Sequence, residues 1–223
     1  MGVHLIGGGW DGDVAPLVYG PFLSEVGGEG VVGCLLVDEG DGAEQFARYD
    51  AVLRVVSPDC RPVPLLVGGG LTPAYQDALD PVIDEVVRVV RDRSLPYAGF
   101  SAGAVVAARR ALVGGWLDGG VPVCPGDAAE DLEEIEVRDG LGLVPYAVDV
   151  HAAQWGTLAR LVAAVARGDA ESGVALDENT LLTAAGDGRA VVAGAGRVHL
   201  VHRTRDANSV VVRAFRAGDT LTR

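Results

Sequence analysis

The stretch that decides the fold is Tyr97-Ala98-Gly99-Phe100-Ser101-Ala102-Gly103-Ala104, which an apolar, helix-prone run continues from Val105 to Leu112. Its residue types predict a short strand, a sharp turn that carries the hydroxyl of Ser101, and the start of a helix. Gly99 and Gly103 let the backbone bend and approach closely on both sides of the serine. The first amides of the helix would point unpaired at a developing oxyanion. The pattern predicts a nucleophile elbow, although a tightly packed glycine turn without chemistry has the same sequence.

Length and composition favour one α/β domain over residues 1–223, since 49% of the residues are hydrophobic and no stretch is typical of a linker. The net charge of −13 argues against nucleic acid or an anionic membrane as a partner, because both would repel such a surface. A homodimer is the expectation from the frequency of twofold assemblies alone.

The cysteines, Cys34, Cys60 and Cys124, are too few and too scattered for a disulfide framework, and no Cys/His cluster predicts a metal site. The first residues lack the basic region and cleavage site of an export signal, and no run reaches transmembrane length. We therefore expect a cytoplasmic protein that uses no metal and no organic cofactor.

Short apolar runs alternate with helical patterns along the chain, which predicts a mostly parallel sheet covered by helices. The predicted strands are Val3 to Ile6, Gly30 to Val37 (buried on both faces), Pro64 to Val67, Ala147 to His151 and Gly173 to Leu176. The predicted helices are Gly42 to Val56, Pro81 to Arg91 and Trp155 to Arg167, with Thr72 as the cap of a further helix at Pro73. The residues between Gly114 and Glu136 are expected to be irregular, with their charges on a solvated face. Alternating patterns at Ala190 to Ala193, Arg197 to Arg203 and Val210 to Phe215 predict antiparallel strands near the C-terminus.

A base for Ser101 can be sought among the four histidines. His4, His199 and His202 lie within predicted strands, where lone histidines are usually structural. His151 follows a buried strand, at the edge where the carboxyl ends of parallel strands meet and ligands bind. Glu178 follows the next strand, so that a nucleophile, a base and an acid would converge on one edge.

These motifs together resemble the peptidase E and cyanophycinase family of serine peptidases. The resemblance is carried by Gly68-Gly69-Gly70, G-F-S-A-G-A around Ser101, Asp-x-His at residues 149–151 with its trailing helix, and Asp177-Glu178-Asn179-Thr180. It implies a class I glutamine amidotransferase-like fold, a flavodoxin-like α/β/α arrangement of three layers. It also implies hydrolysis of an amide bond in a small peptide or peptide-like substrate through an acyl-enzyme.

The resemblance implies a role for each matching residue. Ser101 would be the nucleophile, His151 its general base and Glu178 the acid that orients the imidazole, while Gly70 and Ala102 would supply the oxyanion amides. Members of the peptidase E branch carry the acid between the serine and the histidine, which makes Asp118 the reserve candidate.

Departures from the family pattern concern the substrate. Leu71 stands where peptidase E-like members carry asparagine, and Trp155-Gly156-Thr157 replaces an R-G-R motif of cyanophycinase-like members. The substrate-binding candidates are therefore Leu71, Trp155 and Thr157. Because indole and hydroxyl groups cannot replace a fork of guanidinium donors, specificity for cyanophycin or N-terminal aspartyl dipeptides is not expected.

Two other classes fit the same residues. An α/β-hydrolase esterase would use Ser101, Asp177 and either His199 or His202, in that family's chain order. A non-catalytic binding protein could keep the fold after its pocket had changed, because fold alone does not fix function.

Overall fold

The computed structural model of the chain describes residues 1–26, 32–59, 65–186, 188–206 and 209–222. Strands and helices alternate through its first part and strands dominate its end, so the predicted mixed α/β class is confirmed. The helices are α1 (Ala15–Val26), α2 (Gly42–Val56), α3 (Thr72–Leu79), α4 (Ile83–Asp92), α5 (Ala102–Val106), α6 (Ala152–Trp155) and α7 (Leu158–Arg167). The strands are β1 (Val3–Ile6), β2 (Gly33–Leu35), β3 (Leu65–Val67), β4 (Tyr97–Phe100), β5 (Arg110–Gly114), β6 (Leu117–Asp118), β7 (Val121–Pro122), β8 (Glu136–Asp139), β9 (Ala147–Asp149), β10 (Ser172–Leu176), β11 (Thr180–Ala184), β12 (Ala190–Gly194), β13 (Arg197–Arg203), β14 (Val210–Arg216) and β15 (Thr220–Leu221).

The central strands are parallel and divide between two sheets, a division that the sequence pattern did not predict. The first sheet has the order β15-β12-β11-β1-β4-β3-β2, with β1, β4, β3 and β2 parallel. The second has the order β14-β13-β10-β9-β5-β8, with β10, β9 and β5 parallel. The antiparallel C-terminal strands β11 to β15 extend both sheets. The alternating patterns predicted β12, β13 and β14, whereas β11 and β15 were not predicted.

Three hydrophobic clusters show how the layers pack. Helices α1 and α2 cover one face of the first sheet, where Phe22 and Tyr49 belong to the same cluster as Ile6. The other face of this sheet shares a core with the second sheet and with α3 and α5. Helix α7 covers the outer face of the second sheet through Leu161 and Val165. Helices therefore lie on both outer sides, with the sheets between them.

Helix α1 was missed by the sequence analysis, since Gly20 and Pro21 interrupt its pattern. Proline inside a helix removes a hydrogen bond and crowds the preceding turn, at a cost of about 3 kcal/mol or more. The buried residues of α1, which include Val18, Tyr19 and Phe22, recur at helical spacing. Their burial against the first sheet outweighs the local preference, as is usual for helices that tertiary packing stabilises.

The helix after Ser101 is shorter than its sequence predicts. Helix α5 ends at Val106, and residues 110–112, the end of the expected helical run, instead belong to β5, which pairs with β9 and β8. A short, mostly apolar run does not distinguish a buried helix from a buried strand by periodicity. Here the strand completes the second sheet.

Three other local predictions need correction. Strand β2 is half-buried and lies at the edge of its sheet, so the expectation of burial on both faces was wrong; Gly30 and Val31 lie outside the described residues, as does Pro64. Thr72 is the first residue of α3 rather than its cap, and the residue at the cap position, Leu71, makes no side-chain capping bond. The helix expected from Trp155 is split into α6 and α7 at Gly156, whose φ of 72° ends the first turn.

The excursion between β5 and β9 is more ordered than expected. It contains the small hairpin of β6 and β7, and it returns along β5 as β8. Its acidic residues do not all lie on a solvated face, because Glu130 is half-buried and accepts a hydrogen bond from the amide of Thr72. Within the part of the chain that the structure describes, Cys34 and Cys124 are free thiols, and no helix combines the length and the apolar character needed to cross a membrane. Cys60 lies outside the described residues.

Candidate active site

Ser101 lies on a strained turn at the end of β4, in the centre of the first sheet. Its φ of 50° and ψ of −114° place it outside the regions that residues with side chains favour, and α5 begins at the next residue. The flanking glycines make the turn possible. A Cβ at Gly99 would overlap the backbone of Gly103, and a Cβ at Gly103 would overlap the carbonyl of Val67. The helix thus packs directly on the strand ends and holds the serine above them.

His151 reaches Ser101 from the second sheet. It follows β9 in a left-handed conformation, with φ of 55° and ψ of 33°, and its amide donates to the carbonyl of Gly7 at 3.2 Å. The imidazole Nε2 is 2.8 Å from Ser101 Oγ. The contact therefore joins the carboxyl ends of β4, β9 and β1, which is the edge where the sequence placed the site.

Glu178 supports the other side of the imidazole. Its Oε1 is 2.9 Å from His151 Nδ1, and its own amide donates to the side-chain oxygen of Gln154 at 2.9 Å. When Nδ1 carries the proton and donates it to Glu178, Nε2 is free to accept the hydrogen of the Ser101 hydroxyl. The structure thus brings serine, histidine and glutamate into one hydrogen-bonded line.

Each residue of the Asp177-Glu178-Asn179-Thr180 segment between β10 and β11 makes a contact that fixes the segment. Asp177 accepts hydrogen bonds from the amides of Ala153 at 3.1 Å and Arg197 at 2.9 Å. The Asn179 side chain accepts one from the amide of Asp11 at 3.0 Å, and Thr180 Oγ1 accepts one from the amide of Gly196 at 3.0 Å. The carboxylate of Glu178 therefore projects from a backbone that is anchored on both sides.

Burial and charge act on His151 in opposite directions. Burial lowers the pKa of His151 below its ordinary value of 6.5, while the hydrogen bond and the charge of Glu178 partly oppose the shift. A lowered pKa keeps the imidazole neutral at neutral pH, which is the form that can accept the proton of Ser101.

The proposed oxyanion donors are placed beside Ser101. Ala102 is the first residue of α5, and Gly70 ends the glycine turn that follows β3. Within the described part of the chain, neither amide donates a hydrogen bond to another residue. The amide of the neighbouring Gly69, in contrast, donates to the hydroxyl oxygen of Tyr49 at 2.9 Å. Gly70 and Ser101 line the same cleft. The two amides are thus available to a ligand.

The cleft at Ser101 has a volume of about 610 Å³, within the range of small-molecule sites. Its apolar walls include Trp10, Leu71 and Trp155, which are 45%, 36% and 43% exposed. The charged residues that line it are Asp41, Arg48, Asp127, Glu130 and Asp131. Carboxylates therefore outnumber guanidinium groups along the described lining.

Two predicted site residues do not reach the cleft. Thr157 is fully buried and its hydroxyl donates to the carbonyl of Val150 at 2.6 Å, so it has no surface to offer a substrate. Asp118 forms an ion pair with Arg167 at 3.1 Å, on the hairpin of β6 and β7. The structure therefore brings Glu178, and not Asp118, to His151.

The sequence analysis missed the ion pair behind His151. Arg160 of α7 binds both carboxylate oxygens of Asp149, at 2.8 and 3.0 Å, and its remaining donor binds the carbonyls of Gly115 and Ala128. Both side chains are buried. The pair fixes β9, and hence His151, against the excursion that forms one wall of the cleft. An aspartate inside a buried strand was the signal for it, since a buried charge needs a partner.

Two further residues at the site were also missed. Gly8 lies against the imidazole, because a Cβ there would overlap His151 near Cε1. Glu130 accepts a hydrogen bond from the amide of Thr72 at 2.9 Å, and burial raises the pKa of its carboxyl although that bond opposes the shift. Glu130 thereby ties the excursion to the start of α3, next to Gly70.

Backbone strain concentrates around this cleft. Among the described residues, the non-glycine positions with positive φ are Ser94, Ser101, Glu130, Asp131, His151 and Asn179. All of them except Ser94 belong to the cleft or to the segments that support it. Such conformations cost about 1–3 kcal/mol each and persist where the surrounding structure enforces them.

The other histidines are engaged elsewhere. His4 is buried between Glu25, at 2.9 Å, and Thr183, at 3.1 Å. His199 lies 3.4 Å from Asp177, and neither it nor His202 is brought to Ser101. Over the described ranges, no group of histidine, cysteine and acidic residues is arranged to hold a metal ion.

In sequence, part of the chain is similar to cyanophycinases. Over 125 residues it is 33% identical to the cyanophycinases of Trichormus variabilis and of a Nostoc species, a match that covers 56% of this chain and 39% of each relative. The matched stretch thus spans about two fifths of the length of these relatives. No family model matches the sequence.

In fold, the chain is similar to peptidases. A peptidase from an acI-B1 actinobacterium superimposes with a TM-score of 0.65 at 15% identity, covering 99% of this chain and 96% of that one. A candidate peptidase E from Listeria monocytogenes superimposes with a TM-score of 0.55 at 15% identity, covering 87% of this chain and 98% of that one. The resemblance to the peptidase E and cyanophycinase family that the motifs indicated is therefore confirmed.

Proposed function

We propose that this protein is a serine-type hydrolase that cleaves an amide bond in a small peptide or peptide-like molecule. The observation that carries the proposal is the continuous line from Ser101 Oγ to His151 Nε2 at 2.8 Å and from His151 Nδ1 to Glu178 Oε1 at 2.9 Å, at the mouth of a cleft. A nucleophile within reach of a base that a third group orients is the arrangement on which acyl transfer depends. The similarity to cyanophycinases and peptidases favours amide over ester substrates.

The geometry supports a two-step mechanism. Ser101 Oγ attacks the carbonyl carbon of the substrate while its proton passes to His151 Nε2, and Glu178 stabilises the imidazolium that forms. The negative charge that develops on the carbonyl oxygen would be held by the amides of Gly70 and Ala102. His151 then returns the proton to the leaving amine as the C–N bond breaks. A water oxygen then attacks the acyl carbon while its proton passes to His151 Nε2. The ester bond to Ser101 breaks, the acid leaves, and His151 returns the proton to Ser101 Oγ.

The lining of the cleft bears on the substrate. Leu71 and Trp155 stand where relatives of the resembled family carry an amide and a guanidinium, and Arg48 is the lone guanidinium in the described lining against Asp41, Asp127, Glu130 and Asp131. Because like charges repel in such a cleft, acidic peptides are disfavoured. We propose a short peptide without an acidic side chain next to the cleaved bond.

Labelling with a fluorophosphonate tests the proposal without knowledge of the substrate. The Ser101 oxygen would form a bond to phosphorus, fluoride would leave, and His151 would take the proton. Mass spectrometry should locate the adduct on Ser101, and the variant Ser101→Ala should not be labelled. Ser94→Ala is the matched control, since Ser94 is an exposed serine with the same φ of 50° but without a histidine contact in the described structure. This control should be labelled like the native protein.

The outcomes separate the alternatives. Folded native protein that stays unlabelled at Ser101 would contradict the enzyme hypothesis and favour a binding protein that keeps the fold. Labelling at Ser101 followed by turnover of simple esters but of no member of a dipeptide library would favour the esterase class instead.

A further inference from the structure

The indole of Trp155 lies flat on the imidazole of His151. The ring centroids are 4.0 Å apart and the planes differ by 10°, so the two rings are stacked. Trp155 is also 43% exposed and lines the cleft. A residue expected from its sequence position to bind substrate is thus in direct contact with the candidate base.

Local backbone structure places the indole on the imidazole. The amide of Trp155 donates to the carbonyl of His151 at 2.8 Å, which closes the single turn of α6, and Gly156 ends that turn. Side chains four residues apart lie on the same face of a helix, so the spacing from His151 to Trp155 brings the rings together. The base and its stacking partner therefore belong to the same hydrogen-bonded turn.

The hydrogen bonds of the imidazole use its two ring nitrogens. Nε2 meets Ser101, Nδ1 meets Glu178, and Gly8 lies near Cε1. The indole contacts the face of the ring. The face of an indole attracts a cation, while a neutral imidazole gains less from it. The stacking consequently favours the imidazolium, which exists only after Ser101 has lost its proton.

We propose that Trp155 is a positioning residue for His151: its indole holds the plane of the imidazole and stabilises the imidazolium formed during attack by Ser101. The proposal rests on the proposed function of Ser101. In the proton transfer, the O–H bond of Ser101 breaks and an N–H bond forms at His151 Nε2, and Trp155 exchanges neither protons nor electrons. It acts against burial, which disfavours the same cation.

The charged groups around the imidazole are supplied by residues other than Trp155. Those that act on it from neighbouring elements are Glu178 after β10, Asp149 in β9 and Arg160 in α7, and the carboxylates of the facing excursion are Asp127, Glu130 and Asp131. Trp155 carries no charge. Its replacement therefore changes two things only: the burial of the imidazole face, which lowers the pKa of His151, and the attraction of the π face for the imidazolium, which raises it.

The test compares Trp155→Leu and Trp155→Phe with Trp10→Leu. Trp10 is an equally exposed tryptophan of the same cleft, which contacts Tyr49 and Phe100 and not His151. Two readouts are needed: the pKa of His151 from NMR titration of its ring signals, and the rate of fluorophosphonate labelling as a function of pH. Leucine and phenylalanine are both smaller than tryptophan and are similar to each other in size, but only phenylalanine has a π face, so the difference between the two variants isolates the aromatic contribution.

We expect Trp155→Leu to lower the pKa of His151 by roughly half a unit and to slow labelling at neutral pH by about threefold to tenfold. Trp155→Phe should keep most of both values, and Trp10→Leu should leave the pKa of His151 unchanged. Equal pKa values of His151 in Trp155→Leu and Trp155→Phe would overturn the proposal and leave Trp155 as a wall for the substrate.

Two additional measurements keep the test decisive. If Trp155→Leu does not fold, incorporation of fluorinated tryptophan weakens the negative face of the indole without changing its shape, and it should also lower the pKa of His151; an unchanged value would refute the proposal. If the native protein is not labelled at Ser101, the proposed function fails, while the NMR titration still reports whether the indole acts on His151.

Discussion

Asp177 and Glu178 are neighbours in the chain, and each contacts a histidine, but only one of the two pairs leads to a nucleophile. Glu178 lies 2.9 Å from His151 Nδ1, and the second nitrogen of that ring lies 2.8 Å from Ser101 Oγ. Asp177 lies 3.4 Å from His199 Nε2. The carboxylate of Asp177 also accepts hydrogen bonds from the backbone amides of Ala153 and Arg197. The carboxylate of Glu178 accepts none from a backbone amide in the described structure.

The difference shows that an acid and a histidine in contact do not by themselves make a hydrolase site. The carboxylate oxygens of Asp177 join α6 and β13 to the loop after β10. These hydrogen bonds hold the backbone of the neighbouring Glu178 in place. Glu178 is left to orient an imidazole whose other nitrogen faces a strained serine. The esterase arrangement would need Asp177 and His199 to serve Ser101, and the structure brings neither to it.

Replacing His151 or His199 should give the largest difference in labelling rate between the two acid–histidine pairs. His151→Ala removes the base, so labelling of Ser101 should slow by about 10⁴-fold or more. His199→Ala should leave the labelling rate nearly unchanged. The second-order rate of fluorophosphonate labelling at neutral pH measures both. The reverse ranking would mean that the arrangement around Asp177 is the catalytic one.

Replacing the acids should give a smaller effect on the same rate. Glu178→Gln keeps the shape of the side chain but cannot stabilise the imidazolium, so labelling should slow by roughly 10²- to 10³-fold. Asp118→Asn serves as the control and should be silent, because Asp118 of β6 pairs with Arg167 of α7 and not with His151. A large loss in Asp118→Asn together with a silent Glu178→Gln would assign the acid to the position that the peptidase E branch uses.

Much of the site could be predicted because its residues sit where strands end. Ser101, His151 and Glu178 each follow a strand whose apolar sequence marks it clearly, and the carboxyl ends of parallel strands meet at one edge. Helix α2 was predicted with its observed bounds because its apolar residues recur at helical spacing.

The rest depends on contacts that sequence spacing does not encode. Burial of Thr157 follows from the break at Gly156, which turns its hydroxyl toward Val150 and away from the cleft. The ion pair of Asp149 with Arg160 joins residues on different elements, and α1 forms only because tertiary packing overrides Pro21. The division of the strands between two sheets also arises from long-range pairing of β11 with β1 and of β13 with β10.

Asp177→Asn should have the smallest effect of these variants, and it should lower the stability of the fold rather than the rate of labelling. Burial alone would raise the pKa of Asp177, but the hydrogen bond from His199 and the amides of Arg197 and Ala153 lower it below its ordinary value of 3.8. A carboxyl whose pKa is lower in the folded state contributes stability that is present above the unfolded pKa and is lost as the pH falls through the folded value. Asparagine presents an amide to one of the two backbone donors, so the variant should lose about 1–3 kcal/mol of its free energy of unfolding at neutral pH.

Urea unfolding of the native protein and the variant should show a difference in stability that persists down to about pH 4 and narrows below it. His4 and His151, whose pKa values burial lowers, destabilise both proteins alike in acid and cancel in the difference. A difference that does not change with pH would show that Asp177 anchors the loop without its charge, and slow labelling at Ser101 in this variant would show that the anchor and the site cannot be separated.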